Sequence, residues 1–338
     1  MANFVASTQV HEYTVTMTLS TFTDQMNIWG QAEVPFLFMV DFEMEKPLLF
    51  KLDEIDSTKF LFDINGFSNA SAKAKIQTTQ IEALPTPFSE YKKKFDIVYN
   101  SLAYGDSFLT NLTIKTPVAL HTSLKELFYQ SHAKYKLLME DEFLVFSPET
   151  FIQIKSGKIF SYPMKGTIDA SYPNARERIL NDEKEKAEHT TIVDLIRNDL
   201  SQVAMHVNVN RFRYIDEIKT SNKNLLQVSS EIAGDLPEDY KSRLGDIVVK
   251  LLPAGSISGA PKSKTLEIIR KAEGEKRGYY TGVVGYFDGA NVDCGVMIRF
   301  IENESGTFFY RSGGGITTQS IVELEYQETI DKVYVPVD

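Results

Sequence analysis

The chain has 338 residues, the length of about two average domains or of one large mixed-sheet unit, and 43% hydrophobic, 12% aromatic and 24% charged residues exclude disorder as its main state. Lys and Arg number 36 against 46 Asp and Glu, a net charge of −10, which is the wrong sign for a protein that lives on phosphate backbones, so no nucleic-acid partner is expected. The apolar run Val34 to Val40 falls far short of the ~20 residues of a membrane span, and MANFVAST has no basic segment followed by an apolar one, so the expectation is a cytoplasmic protein with no membrane partner.

In HEYTVTMTLS, residues 11 to 20, Tyr13, Val15, Met17 and Leu19 alternate with threonines, and this period predicts a strand with one buried face. After a polar stretch from Ser68 to Lys73, Tyr91, Phe95, Val98 and Leu102 recur at helical spacing and predict a helix over 88–102. From Tyr135 to Thr167, short β-type runs are punctuated by Asp141-Glu142 and Ser156-Gly157, a pattern of antiparallel hairpins. Two helices are expected at about 181–200 and 238–251, followed by strands broken at Asp288-Gly289 and Ser305-Gly306. Ser320 and Glu323 have the spacing of a capping box and set the start of a last helix near Ser320. The reading is an α+β protein, a large layered sandwich with mostly antiparallel sheets. A β-rich segment over 1–80 packs on a core over 81–338. The single cysteine, Cys294, lies in VDCGVMIRF, an apparent buried strand, and is taken as a core residue.

Four carboxylates depart from ordinary patterning. Glu185 and Glu188 are three apart and share a helical wedge with Ile192, Leu195 and Ile196, and Glu325 and Glu328 share another with Ile321 and Leu324. A single such pair is as well explained by attraction to the positive end of a helix. Two helices each aiming a pair of Glu residues inward make an oxygen-rich site of the kind Mg²⁺ prefers. LLPAGSISGAPKSK lacks the ending of a P-loop, and the histidines have no zinc-ligand spacing. Gly313, Gly314 and Gly315 offer bare backbone N–H groups to an anion or else form a flexible turn, and Tyr280 with Arg299 makes an unspecific anion-binding pair. Lys165 in YPMKGT is a nucleophile candidate if it meets Glu149 of FSPETF in a dry pocket, a meeting that spacing leaves open.

FSPETF, YPMKGT, EKAEHTTIVDLIRNDL, PAGSISGAPK, the Gly-Tyr-Tyr-Thr-Gly run, GVMIRF, GGGI and ELEYQETIDK, in that order, resemble the chorismate-utilising enzyme family over roughly residues 85 to 335. Lys165, where the anthranilate-forming branch typically has Ala, is similar to the branch that aminates chorismate at C4 for p-aminobenzoate and folate synthesis. The resemblance implies that Glu185, Glu188, Glu325 and Glu328 hold Mg²⁺, and that Tyr280, Arg299, Gly313 and Gly314 hold the enolpyruvyl carboxylate. It places Ser258, Gln227 and Thr167 at the substrate, and it gives Lys165 the part of nucleophile and Glu149 that of general acid. A nucleophilic Lys165 must be neutral, which burial favours and nearby carboxylates oppose.

Gln227 stands where many relatives have His and can hydrogen-bond a substrate oxygen but cannot transfer a proton. Ser258 stands where Thr is common and keeps the hydroxyl. No counterpart of a tryptophan-feedback motif is found, so inhibition by tryptophan is not expected. With no glutaminase nucleophile in the chain, the resemblance implies a separate glutamine amidotransferase subunit as the ammonia source. The alternatives are component I of anthranilate synthase and, outside catalysis, an inactive chorismate-binding subunit. Isochorismate and salicylate synthases use water in place of ammonia and place their base lysine elsewhere.

Overall fold

The computed structural model describes residues 17–70, 81–219 and 224–336. Two nine-stranded sheets, antiparallel at every pairing, lie face to face between helical layers. The first sheet runs, in spatial order, 164–169, 224–235, 158–161, 150–155, 292–296, 283–287, 36–40 and 48–51, with 205–219 also paired to 224–235. The second runs 259–260, 109–120, 307–316, 300–304, 143–147, 135–139, 60–64 and 67–68, with 81–83 paired to 109–120. Strands from before residue 80 therefore enter both sheets.

The inner layer between the sheets is apolar from both sides. Leu37, Met39 and Val284 of the first sheet meet Phe60, Phe62, Leu137, Phe143 and Phe300 of the second. The far face of the first sheet is covered by the helices Leu19–Gln31, Glu183–Leu200 and Leu244–Leu251. The far face of the second is covered by Phe88–Tyr104, Leu124–Gln130 and Lys262–Glu273. Phe88–Tyr104 buries Tyr91, Phe95, Val98 and Leu102, as their spacing predicts, and stops at Gly105, whose φ of 96° suits a residue without Cβ. No helix of the described residues is long and apolar enough to cross a membrane.

Several local expectations differ from the structure. The strand expected over 11–20 is contradicted at its end, where Leu19 opens the helix Leu19–Gln31, and residues 11–16 lie outside the described residues. Thr18 caps this helix by accepting from the Thr21 N–H, and Phe22, Met26 and Gly30 form its buried stripe at a spacing of four, a helical signal that the alternation of 13 to 19 masked. The helix expected at 238–251 begins as a 3₁₀ turn, Tyr240–Arg243, and that at 181–200 is preceded by a separate helix, Ala175–Asn181. The last helix spans Val322–Asp331 without a capping box. Buried Ser320 instead donates to Glu325 Oε1 at 2.7 Å, because an inward carboxylate needs the hydroxyl more than the helix end does. Ile321 and Leu324 are exposed, so the inward wedge of this helix carries Glu325 and Thr329 rather than those two apolar residues.

Candidate active site

The sheets exchange strands at their seam, and the chemistry gathers there. Glu149 sits where the chain leaves Phe143–Ser147 of the second sheet for Thr150–Lys155 of the first, and Arg299 where it passes from Val292–Val296 back to Phe300–Glu304. The two corners are stitched together: Val296 N–H donates to Glu149 O at 3.0 Å and Phe146 N–H to Arg299 O at 3.1 Å. Arg299 turns with φ 55°, an uncommon conformation for a residue with a Cβ. Between the corners lies a cavity of ≈ 160 Å³ whose wall includes Glu149, Lys165, Tyr280, Arg299, Gly313, Gly314 and Glu328. Residues more than a hundred positions apart in sequence are thus brought to one pocket, and Lys165 and Glu149 share its wall.

The three glycines are neither a loop nor a flexible turn. They continue the strand Thr307–Ile316, pairing Gly313 with Thr113, Gly314 with Leu112 and Gly315 with Asn111. The neighbouring strand on the other side pairs only as far as Arg311, so beyond it this edge of the glycine backbone faces the pocket. A Cβ at Gly314 would stand 3.5 Å from Glu325 Oε2 and 3.7 Å from Glu328 Oε1, which places the acids of the last helix directly over the bare strand.

Lys165 lies on the strand Met164–Asp169, where the register against Asn224–Asp235 shifts between Met164 and Thr167 and Gly166 takes φ 88°. Its Nζ is 2.7 Å from Glu188 Oε2. Burial opposes its charge, but the carboxylates of Glu188, Glu185 and Glu328 outweigh burial and hold Lys165 above the usual lysine range. The competition left open in the sequence is thus decided for the ammonium form in the ligand-free protein.

The four acids converge around this lysine. Glu185 is pushed upward by burial, aggravated by Glu188, and its Oε2 is buried without a hydrogen-bond partner. Burial likewise raises Glu325 against the opposing Ser320 bond. Glu328 goes the other way: the Lys332 ammonium, 2.6 Å from its Oε1, overcomes burial and holds it below the usual range. The donor set is that of a hard cation, and the orphaned Glu185 oxygen is an unmet acceptor of the kind such an ion would satisfy. Lysines are interleaved with the acids, and among the described residues no three His, Cys, Asp or Glu side chains stand together as a ready-made cage.

Glu149 is set apart from this cluster. Burial raises its pKa against the hydrogen bond it accepts from Ser256 Oγ and the pull of the Lys332 ammonium. Tyr280 is almost fully buried, and burial pushes its hydroxyl up to about 12.

Six expected site residues lie off the wall: Glu185, Glu188 and Glu325, of which Glu188 reaches the pocket through Lys165, and Ser258, Gln227 and Thr167. Ser258 is fully buried and donates to Ala254 O at 2.9 Å, and it is Ser256 of the same turn that lines the wall. Gln227 and exposed Thr167 are cross-strand partners at the edge of the first sheet. Lys332, Ser256 and Asn111 line the pocket without having been singled out. Lys332 carried a legible signal, since it follows Glu328 by four residues on one helical face. Ser256 carried none, because GSIS offers two serines and spacing does not choose between them.

The pocket is supported by a fully buried ion pair. Arg277 bonds both oxygens of Glu273, with Nε at 2.9 Å and Nη2 at 2.6 Å, and donates to Ile257 O and Asn111 O, while Glu273 also accepts from Thr113 N–H and Oγ1. Two of the wall segments, at Asn111 and Ile257, are thereby held to one guanidinium.

The sequence profile described as chorismate binding enzyme matches residues 51–338. An uncharacterized PabA-like protein of Haemophilus influenzae is 48% identical over 95% of this chain and 98% of its own length. Aminodeoxychorismate synthase component 1 of Bacillus subtilis is 30% identical over 78% of this chain and 58% of its own length. Among solved structures, a 2,3-dihydroxybenzoate-specific isochorismate synthase from Bacillus anthracis superposes with a TM-score of 0.71 at 20% identity, covering 93% of this chain and 86% of that one, which is a likeness of fold. Anthranilate synthase component I from Streptococcus pneumoniae gives 0.64 at 25% identity over 76% of this chain and 59% of that one. A pocket built at the seam of two antiparallel sheets thus sits in a chain that belongs to the chorismate-binding enzyme family, enzymes acting on chorismate.

Proposed function

We propose that the protein is component I of an aminodeoxychorismate synthase, aminating chorismate at C4 to 4-amino-4-deoxychorismate. The observation that carries this reading is that Lys165 and Glu149 line one cavity, a candidate nucleophile together with a carboxyl group whose pKa burial raises. Lys165, 30% exposed, first releases its ammonium proton to solvent; the neutral Nζ then forms a bond to ring C2, the ring double bond shifts, and the C4 hydroxyl leaves as water with the proton of Glu149. Ammonia then bonds to C4, the double bond returns, and the C2–N bond to Lys165 breaks, restoring the amine. Tyr280, Arg299 and the backbone of Gly313 and Gly314 hold the enolpyruvyl carboxylate. Ser258, Gln227 and Thr167 keep their expected places at the substrate only if ligand binding draws them inward, whereas Ser256 already orients Glu149.

Glu185, Glu188, Glu325 and Glu328 would hold Mg²⁺, which would supply positive charge that offsets part of the charge of the acids and the ring carboxylate. Ammonia comes from a separate glutamine amidotransferase subunit, and the C4-amino product serves p-aminobenzoate and folate synthesis in the cytoplasm. Component I of anthranilate synthase remains the reading to beat, because such enzymes are also among the relatives: that of Aquifex aeolicus is 36% identical over 55% of this chain and 38% of its own length.

The test is to incubate the purified chain with chorismate, Mg²⁺ and either ammonium or glutamine, and to identify the product by mass and by ultraviolet and fluorescence spectra. 4-Amino-4-deoxychorismate from ammonium, with glutamine inert until an amidotransferase is added, is expected. Anthranilate as product would replace this reading with its rival, and equal rates from glutamine alone would reveal a glutaminase site in the chain.

A further inference from the structure

Three arginines stand at or beside the pocket, and two of them are already neutralised. Arg277 is paired with Glu273, and Arg311 with Glu302 at 2.8 Å and Glu275 at 3.2 Å. Arg299 has no carboxylate partner among the described residues. Its guanidinium lies 4.7 Å over the ring of Tyr334, and its Nη1 donates to Lys332 O at 3.1 Å. These two partners belong to the segment that follows the last helix, and the Tyr310 hydroxyl of the strand Thr307–Ile316 is a third neighbour of the guanidinium. That segment is fastened independently of the Tyr334 ring: Tyr310 OH donates to Tyr334 O at 3.0 Å, His132 N–H to Pro336 O at 2.7 Å, and Val333 and Val335 pack on the core around Phe128 and Tyr310. The ring itself is 46% exposed. It contributes little to the core, and its closest charged neighbour is the one pocket arginine left unpaired.

We infer that Tyr334 is a positioning residue for substrate binding: its ring, carried on the 332–336 segment, holds the Arg299 guanidinium in place to receive a carboxylate of the substrate. The inference rests on the carboxylate-binding role of Arg299 in the reading above. A free arginine side chain loses rotamer freedom when it binds an anion, and a ring that has already ordered it removes part of that cost. Aromatic faces do this for guanidinium groups within about 6 Å while leaving the N–H edges free for a ligand. The Lys332 carbonyl takes one N–H and fixes rotation about the ring normal. Tyr334 does not line the cavity, so its effect falls on binding and not on bond making.

The test compares Tyr334→Phe, Tyr334→Leu and Tyr334→Ala in the full chain, with KM for chorismate, kcat and Tm measured for each and Arg299→Ala alongside. Tyr334→Leu and Tyr334→Ala should raise KM about two- to sixfold at nearly constant kcat, and Tyr334→Phe, which keeps the aromatic face, should restore the wild-type KM. A wild-type KM in Tyr334→Leu, with KM raised in Arg299→Ala, would overturn the positioning role and leave Arg299 as the carboxylate ligand. Equal losses in Tyr334→Phe and Tyr334→Leu, or a rise in KM that tracks a fall in Tm, would make the residue a fold contact and overturn it too. An unchanged KM in Arg299→Ala would instead remove Arg299 from the substrate and fail the reading on which the inference stands.

Discussion

Two charge clusters, the buried Arg277–Glu273 pair and the partly exposed group around Lys165, are built on opposite principles. In the Arg277–Glu273 pair, where each side chain is 1% exposed, both carboxylate oxygens and the guanidinium nitrogens have partners, several of them backbone groups of the pocket wall. Around Lys165, by contrast, four glutamates share the lysines, one carboxylate oxygen has no partner, and two acids are raised by burial while a third is lowered. A satisfied cluster locks geometry. An under-satisfied one keeps capacity for a ligand, at a cost in stability.

The largest effect should come from breaking the locked pair. Arg277→Met leaves Glu273 and the Asn111 and Ile257 carbonyls unpaired in a dry interior, and should lower stability by about 3–5 kcal/mol in denaturant unfolding. The unsatisfied cluster should behave in reverse. Glu188→Gln or Glu328→Gln should cut turnover at least about 100-fold while changing unfolding free energy by less than about 1 kcal/mol. Full activity of the wild type in excess chelator would remove the metal from the account.

Glu149 sharpens the comparison through pH. Its folded pKa lies above the ordinary carboxylate value, so between the two the folded state binds more protons than the unfolded state, and stability falls as pH rises through that window. Glu149→Gln should lose this dependence and be more stable at neutral pH by about 0.5–1 kcal/mol, with the proton-donor step lost. Thermal melts across pH 4 to 8 compare the two proteins directly. The smallest effect is expected at an exposed pair: Asp96→Ala, which frees Lys92, should change stability by less than about 0.5 kcal/mol.

Much of this was legible from periodicity and turn chemistry. Tyr91, Phe95, Val98 and Leu102 gave their helix, and the Asp288-Gly289 and Ser305-Gly306 breaks gave hairpins. What stayed hidden is what no local pattern encodes. Gly313 to Gly315 read as a loop because glycine is poor in strands, yet here an open sheet edge needs backbone without side chains. Ser320 has the spacing of a cap and is recruited by Glu325, a choice made by burial. Ser256 and Ser258 are told apart only by which one the Gly255–Ser258 turn aims at Glu149. That Lys165 and Glu149, sixteen residues apart, line one cavity depends on how the strands 150–155, 158–161 and 164–169 are laid into one sheet, which no local pattern states.

The central claim is that Lys165 forms a covalent bond to the substrate. Its most direct measurement is intact-mass and peptide-mass analysis of the wild type and Lys165→Ala after incubation with chorismate and Mg²⁺ without ammonia. The account predicts an adduct equal to chorismate less water on the peptide carrying Lys165, absent from the variant, and a variant that no longer makes 4-amino-4-deoxychorismate when ammonium is added. An unmodified wild type together with a variant that still makes that product at an undiminished kcat would contradict it.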